Sequence, residues 1–343
     1  MRVLVTGGAG FLGSHAVSVL LDGGHDVLVV DDLRASDETV LPRVGQICGV
    51  DYPSPRLDLV RADVVRPEGY AAAAHRFAPD AVMHFAGLKS PTESLTEPVD
   101  YYTVNVAGTA AAAQVAADAG ATAFLFSSSA TVYGDEAPVP VAEDAATAPV
   151  NPYGRSKLMA EQVLTDVNAA RPELGIAMLR YFNPVGAHPS GHLGEDPVGT
   201  PANLMPFVAR VATGQYERLR IFGTDYPTRD GSAIRDFIHV MDLAEAHVAT
   251  LAWMVDQGAA SVGVRTWNIG RGTGVTVLEM VRAFESVTGR EIPYDVVARR
   301  PGDIAESCAA VEAIAQTVGW RASRDVQAMV ADLWRWQTGS ARR

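Results

Sequence analysis

Tyr153 and Lys157 stand four residues apart in Tyr153-Gly-Arg-Ser-Lys157. On a helix, positions i and i+4 share a face. An ammonium beside a phenol stabilises the phenolate. A phenol tuned in this way can take a proton from an alcohol near neutral pH. A hydroxyl to share that proton is offered by Ser129, in Phe126-Ser-Ser-Ser-Ala-Thr-Val-Tyr-Gly134. Taken singly, the Tyr–Lys spacing also suits a surface helix, and a serine cluster also suits a turn. Their weight comes from the company they keep.

That company begins at Thr6-Gly-Gly-Ala-Gly-Phe-Leu-Gly13, where glycines at 7, 10 and 13 separate an apolar run from an apparent helix. Gly7 permits a tight turn, Gly10 a close backbone approach to a pyrophosphate, and Gly13 close packing of helix on sheet. The helix N-terminus, through the amides of Phe11 and Leu12, then suits the phosphates. Asp31 ends the next apolar run, where an acid would hold the adenosine ribose hydroxyls. Two acids, Asp31 and Asp32, repel a 2′-phosphate, so NAD is expected rather than NADP. Arg34 is the one dissenting residue and reads as solvated. Asp63 is placed to meet an adenine amino group, or else to cap a helix. Positive charge on an oxidised nicotinamide would add to that of Lys157 in favouring the Tyr153 phenolate.

The elements that must position these residues alternate. Strands are expected at Arg2–Thr6, His25–Val30, Leu57–Val60, Ala81–His84, Ala123–Phe126 and Ile176–Arg180. Helices are expected at Phe11–Leu21, Gly69–Arg76, Val99–Ala119 and Pro152–Ala169. This pattern predicts an α/β fold: a Rossmann-type, doubly wound parallel sheet whose ligands sit outside the carboxyl ends of its strands. After Asn183 the rhythm breaks, which predicts a smaller mixed α/β region. Thr338–Arg343 reads as a frayed tail. The 343 residues suit one large domain and a smaller one.

A net charge of −12 and a pI near 5.1 argue against nucleic-acid binding. Two cysteines, Cys48 and Cys308, imply no disulfide framework, and no metal-ligand spacing is present. No signal peptide and no long apolar span is read, so no membrane association is expected and the cytoplasm is the expected location.

Eight segments in order carry a family resemblance: TGGAGFLG, FAGLK (Phe85–Lys89), SSSATVYG, YGRSK, YFNPVGAHPSG (Tyr181–Gly191), NLMPF (Asn203–Phe207), IFGTDYPT (Ile221–Thr228) and RDFIHVMDLA (Arg235–Ala244). Together they resemble the UDP-glucose 4-epimerases of the extended short-chain dehydrogenase/reductase superfamily. The first and fourth segments are superfamily-wide; FAGLK and NPVGAHPSG are far more specific. The resemblance spans residues 1 to about 337. It implies an NAD-binding part over 1–182, with segments around 234–270 returning to it, and a mainly UDP-sugar-binding part over 183–337.

The resemblance implies residue roles. Tyr153 is the base, Lys157 binds the nicotinamide ribose and lowers the tyrosine pKa, and Ser129 assists proton transfer. NAD is lined by the glycine turn, by Asp31, Asp32, Leu33 and Ser36, by Asp63 and Val64, by Phe85, Ala86, Gly87, Leu88 and Lys89, and by Asn105, Ser127 and Phe182. The UDP-hexose is held by Lys89, Ser129, Tyr153, Asn183, Asn203, Leu204, Arg220, Ile221, Phe222 and Ser307. Arg235 and Arg300 take the diphosphate, as guanidinium suits phosphate, and Asp303 the uridine ribose. The long helices pair across a twofold in this family, so a homodimer is expected.

Two positions depart from the family pattern. Val104 replaces a common asparagine, although Asn105 is kept. Ser307 falls where some bacterial relatives carry a bulky tyrosine beside the hexose, which would leave room for a 2-acetamido group and admit UDP-N-acetylglucosamine. A sugar 4,6-dehydratase would need acids just after Ser129, where Ala130 and Thr131 stand. A redox-sensing NAD-binding regulator would not need Tyr153 and Lys157. An epimerase of UDP-pentoses remains compatible with the same motifs.

Overall fold

The computed structural model describes residues 1–197, 199–201, 203–300 and 303–339. The chain forms two compact units. The first contains Met1–Gly134, Thr147–Tyr181 and Ala244–Trp267; the second contains Asp135–Ala146, Phe182–Leu243 and the described chain from Asn268 onward.

The first unit opens with β1 (Arg2–Thr6), α1 (Phe11–Asp22), β2 (Asp26–Asp31), α2 (Val40–Cys48), β3 (Leu57–Arg61), α3 (Ala71–Phe77) and β4 (Ala81–His84). There follow α4 (Pro91–Ser94), α5 (Pro98–Tyr102), a π-helical turn (Thr103–Ala107), α6 (Gly108–Asp118), β5 (Ala123–Ser129), α7 (Pro152–Ala170) and β6 (Gly175–Tyr181). The strands lie in the order β6-β5-β4-β1-β2-β3, each neighbouring pair parallel. This is the doubly wound parallel sheet that the alternation predicts. Val3, Leu4 and Val5 are buried because helices cover both faces of such a sheet. The order reverses between β1 and β4, and that reversal opens the ligand crevice of such sheets.

Three differences from the sequence reading bear on the site. β5 runs on to Ser129 and β6 to Tyr181, so the serine run is held in strand geometry. The helix expected over Val99–Ala119 is interrupted by the π turn. There the Asn105 side chain bonds outside the helix, and Thr109 Oγ1 donates to the Asn105 carbonyl at 2.6 Å; such turns often mark functional positions. A helix with no sequence counterpart, α2, buries Val40, Leu41 and Val44 and ends at Gly49 in the left-handed region.

The catalytic helix candidate, α7, starts cleanly. Asn151 Oδ1 accepts from Gly154 N at 2.9 Å, and Pro152 fills the first turn. The alanines of α6 and α7 are used inside the unit: Ala112, Ala116 and Ala160 pack with Leu4, Val82, Phe124 and Ile176 in one core.

The second unit contains β7 (Asn183–Val185), α8 (Leu204–Ala212), β8 (Leu219–Phe222) and β9 (Ile234–His239). The chain continues through α9 (Val240–Asp256), α10 (Ala259–Val262) and β10 (Val264–Ile269), which takes the sheet edge beside β6. Then come β11 (Gly274–Thr276), α11 (Val277–Thr288), β12 (Tyr294–Val297), β13 (Glu306–Ser307), α12 (Glu312–Thr317) and α13 (Val326–Thr338). β9 is the hub, antiparallel to β11 and parallel to β13 and β7. Phe237, Met280, Phe284, Met329 and Leu333 share its core. The predicted tail begins too early, because Thr338 ends α13; residues 340–343 lie outside the described residues.

Candidate active site

The glycine turn is a steric necessity. Gly7 has φ +69°, and a Cβ there would sit 2.5 Å from Ala86 N. A Cβ on Gly13 would sit 2.1 Å from the Gly7 carbonyl oxygen. Only glycine lets β1, α1 and the segment after β4 converge this closely. Gly10 caps α1 without a side chain, so nothing from the cap covers the amides of Phe11 and Leu12. A cradle of bare backbone at a helix N-terminus fits a pyrophosphate.

Asp31 serves this cradle directly. Its carboxylate accepts from Ala9 N at 3.0 Å, from Leu33 N at 2.9 Å and from Ser36 Oγ at 3.4 Å. Leu33 is thereby held at φ +61°, unusual for a branched side chain. Burial pushes the Asp31 carboxyl up, and the Leu33 and Ala9 amides pull it back. Asp32 is taken by Arg34, with N–O 3.3 Å and a bond from Arg34 N at 2.9 Å. Arg34 is solvated, its side chain 58% exposed, and it pairs with Asp32 at the surface. Asp63 caps no helix: its Oδ1 accepts from Val65 N at 3.0 Å in a turn beside buried Val64.

Phe85 N and Ala86 N both donate to the Thr6 carbonyl, at 2.9 and 3.1 Å. Asn105 grips the next residues: Oδ1 accepts from Leu88 N at 2.8 Å, while Nδ2 donates to Leu88 O at 3.0 Å and to Ser156 Oγ at 2.9 Å. Ser156 in turn donates to the Tyr153 carbonyl at 2.7 Å. A continuous polar path thus joins the Phe85–Lys89 segment to α7. Val104, the departure from the family pattern, leaves this path intact. Lys89 Nζ lies 5.8 Å from the centre of the Phe11 ring.

Tyr153, Lys157, Ser127 and Ser129 are brought together and buried. Lys157 Nζ donates to the Ser127 carbonyl at 2.8 Å, and a Cβ on Gly87 would lie 3.5 Å from Nζ. Burial pushes the Lys157 ammonium down to about 8, with the Glu161 carboxylate opposing. Burial also pushes the Tyr153 phenol up, opposed by its hydrogen bond with Ser129. The protein's own groups therefore do not lower the Tyr153 pKa as the motif suggests, because desolvation of a phenolate outweighs one hydrogen bond. Ser129 Oγ also accepts from Thr131 Oγ1 at 2.9 Å.

In the second unit, Phe222 is a platform: Arg300 stacks 3.9 Å from its ring centre and Arg220 lies 5.9 Å from it. Arg235 is paired with Asp303 and donates to the Ile304 carbonyl at 3.0 Å. Burial pushes the Arg300 guanidinium down, Asp303 opposes this, and Arg220 and Arg235 add to it. Guanidinium groups crowded in this way are suited to an anion. Ser307 lies opposite Arg235 in the β13–β9 ladder. Asn203 Nδ2 donates to Glu195 Oε1 at 3.1 Å just ahead of α8, which begins at Leu204. Ile221 is buried in β8, Phe182 is buried, and Asn183 is exposed at the start of β7.

Two contributors are given no role by the sequence analysis, although Tyr226 lies within the Ile221–Thr228 segment. His84 accepts or donates at Thr6 Oγ1 (2.6 Å) and Thr109 Oγ1 (3.0 Å), and burial pushes it down to about 3, so it is a neutral strut. Tyr226 is 4% exposed, yet among the described residues its hydroxyl has no hydrogen-bond partner, and it feels the charges of Asp303, Arg299 and Arg235.

Residues 3–270 match the model of the NAD dependent epimerase/dehydratase family. The UDP-glucose 4-epimerase of Bacillus subtilis (strain 168) is 47% identical, covering 99% of this chain and 98% of the relative. The structure resembles that of UDP-glucose-4-epimerase from Stenotrophomonas maltophila with bound NAD and formylated UDP-arabinopyranose, with TM-score 0.94, 47% identity, and 100% and 99% of the two chains covered. It also resembles UDP-glucose 4-epimerase from Bifidobacterium longum in complex with NAD+ and UDP, with TM-score 0.91, 43% identity and 98% of each chain covered.

Proposed function

The chain belongs to the UDP-glucose 4-epimerases of the NAD dependent epimerase/dehydratase family, and we propose that it interconverts UDP-galactose and UDP-glucose with a retained NAD. The observation that carries this reading is the buried Tyr153–Ser129 pair with Lys157 one helical turn behind it.

NAD fits the residues present: the backbone cradle at Gly7 and Gly13, the carboxylate of Asp31, and the Phe85–Lys89 segment clamped by Asn105 would hold it. The chemistry it supplies when bound is reversible hydride acceptance. Tyr153 takes the proton from the sugar C4 hydroxyl, with Ser129 Oγ sharing that proton. Lys157 keeps positive charge behind the phenol. Because burial alone raises the phenol, the base depends on that charge and on any cationic ring bound beside it. Inversion at C4 requires one base to serve two faces of the sugar, so the sugar must turn while UDP stays held. Arg235, Arg300 and Asp303 are assigned to the diphosphate and ribose, and Asn183, Asn203, Leu204 and Phe222 to the rest of the UDP-sugar. Holding the reacting groups in place in this way supplies much of the catalysis.

The turn after Ser129 carries Ala130 and Thr131 and no carboxyl, which speaks against elimination of water. The proposal extends to a homodimer: Leu95 just after α4, Val99 on α5 and Met159 on α7 are exposed and apolar, and these three helices pack on one another. A cytoplasmic role in galactose metabolism accompanies it. A second reading rests on Ser307, a small residue opposite Arg235: UDP-N-acetylhexosamines are also accepted, which turnover of UDP-N-acetylgalactosamine tests.

The primary test incubates purified protein with UDP-galactose, without added cofactor, and follows products by NMR. UDP-glucose with no net NADH and no 4-keto-6-deoxy sugar is expected. Inactivity of folded, NAD-loaded protein would overturn the reading.

A further inference from the structure

One turn beyond Lys157 on α7, Glu161 is buried in an ion pair that the proton transfer does not use. Arg180 on β6 grips it with both arms: Nε donates to Oε1 at 2.9 Å and Nη2 to Oε2 at 2.7 Å. Their side chains are only 8% and 6% exposed. Ser128 Oγ donates to Glu161 Oε1 at 2.5 Å, and the Arg180 guanidinium lies 4.7 Å from the centre of the Tyr133 ring. The pair therefore ties α7 to both ends of the Ser127–Gly134 segment. A buried ion pair contributes little net stability compared with apolar side chains of the same shape, so another reason for its charges is required.

The surroundings of Lys157 supply one. On its own helix it faces Tyr153 and Glu161. From β4 comes His84, held neutral by burial and bonded to two threonines. From β5 come the Ser127 carbonyl and the Phe126 ring, 4.9 Å from Nζ. On β6, Arg180 is paired with Glu161 itself, and Tyr181 is bonded to His247 and in electrostatic contact with Tyr153. Tyr101 lies edge-on to Tyr153, its hydroxyl bonded to Glu93. Glu161 is the carboxylate that acts on Lys157.

We infer that Glu161, oriented by Arg180 and Ser128, is a positioning residue that keeps the buried Lys157 protonated at neutral pH, and so sets the pH range in which Tyr153 works. The base role it serves is the one proposed above. With Glu161 neutral, Lys157 keeps its burial and loses the carboxylate that opposes it, which favours loss of its proton.

The chain has only two lysines, Lys89 and Lys157. With 13Cε-labelled lysine, the protein gives two side-chain signals, assigned by a Lys157→Met variant, and each can be titrated by NMR. In Glu161→Gln the Lys157 midpoint falls by about one pH unit or more, and the Lys89 midpoint stays put. The alkaline limb of kcat for UDP-galactose moves down with it, and Glu161→Asp restores both. Should Glu161→Gln not fold, Glu161→Gln/Arg180→Met, which removes both charges of the ion pair together, carries the same titration. A Lys157 midpoint unchanged in the folded variants, whatever the loss of activity, would overturn the inference. A midpoint shift in a chain whose wild type does not epimerise UDP-galactose would support the charge-setting and overturn the base role instead.

Discussion

Asn105 holds the backbone of Leu88 from both sides, accepting from its amide at 2.8 Å and donating to its carbonyl at 3.0 Å. The two residues are 17 positions apart in sequence, and the grip exists because the π turn rotates Asn105 off the regular helical course. Asn105→Ala leaves both backbone groups without these partners. The expected loss is about 1–3 kcal/mol, read as faster release of NAD from the purified protein. Unchanged NAD retention would mean the clamp serves folding alone.

Tyr153→Phe keeps the ring against Tyr101 and removes the proton acceptor. Turnover of UDP-galactose should fall by about 10²–10⁴, with UDP affinity by calorimetry essentially unchanged. Retained turnover would take the base role away from Tyr153.

Lys157 has its ammonium lowered from 10.5 to about 8 by burial. Between those values the unfolded chain keeps a proton that the native protein has lost. Stability attributable to this residue therefore rises with pH across the window, by about 1.4 kcal/mol per unit. Urea unfolding of wild type and Lys157→Met at several pH values isolates it from the thiols of Cys48 and Cys308, which titrate in the opposite sense. A stability gap between the two proteins that does not change from pH 8 to 10.5 would refute the assignment.

Gly7→Ala combines a left-handed φ with a Cβ 2.5 Å from Ala86 N. A cost of about 2–5 kcal/mol is expected. Gly49→Ala, at φ +63° with nothing within 4 Å, should cost only about 1 kcal/mol. Equal effects in urea unfolding would show that the approach of Ala86 is unimportant.

Ser307→Tyr should abolish turnover of UDP-N-acetylgalactosamine while sparing UDP-galactose. Loss of both activities together would remove Ser307 as a determinant of sugar size.

The sequence by itself determined what depends on short-range spacing. The glycine turn, with an apolar strand before it and a helix after it, and the i, i+4 relation of Tyr153 to Lys157 are local facts, set by steric and helical geometry. So is the alternation that yields the parallel sheet, and the ordered motifs were enough to indicate the family. Tertiary structure decided the rest, because those properties belong to partners far apart in the chain. Gly7 is constrained by Ala86, Leu88 by Asn105 and Glu161 by Arg180. That the Tyr226 hydroxyl has no partner among the described residues is a property of what surrounds it. The Tyr153 phenol is raised rather than lowered for the same reason: desolvation is the sum of everything packed around a group, and no spacing along the chain records it.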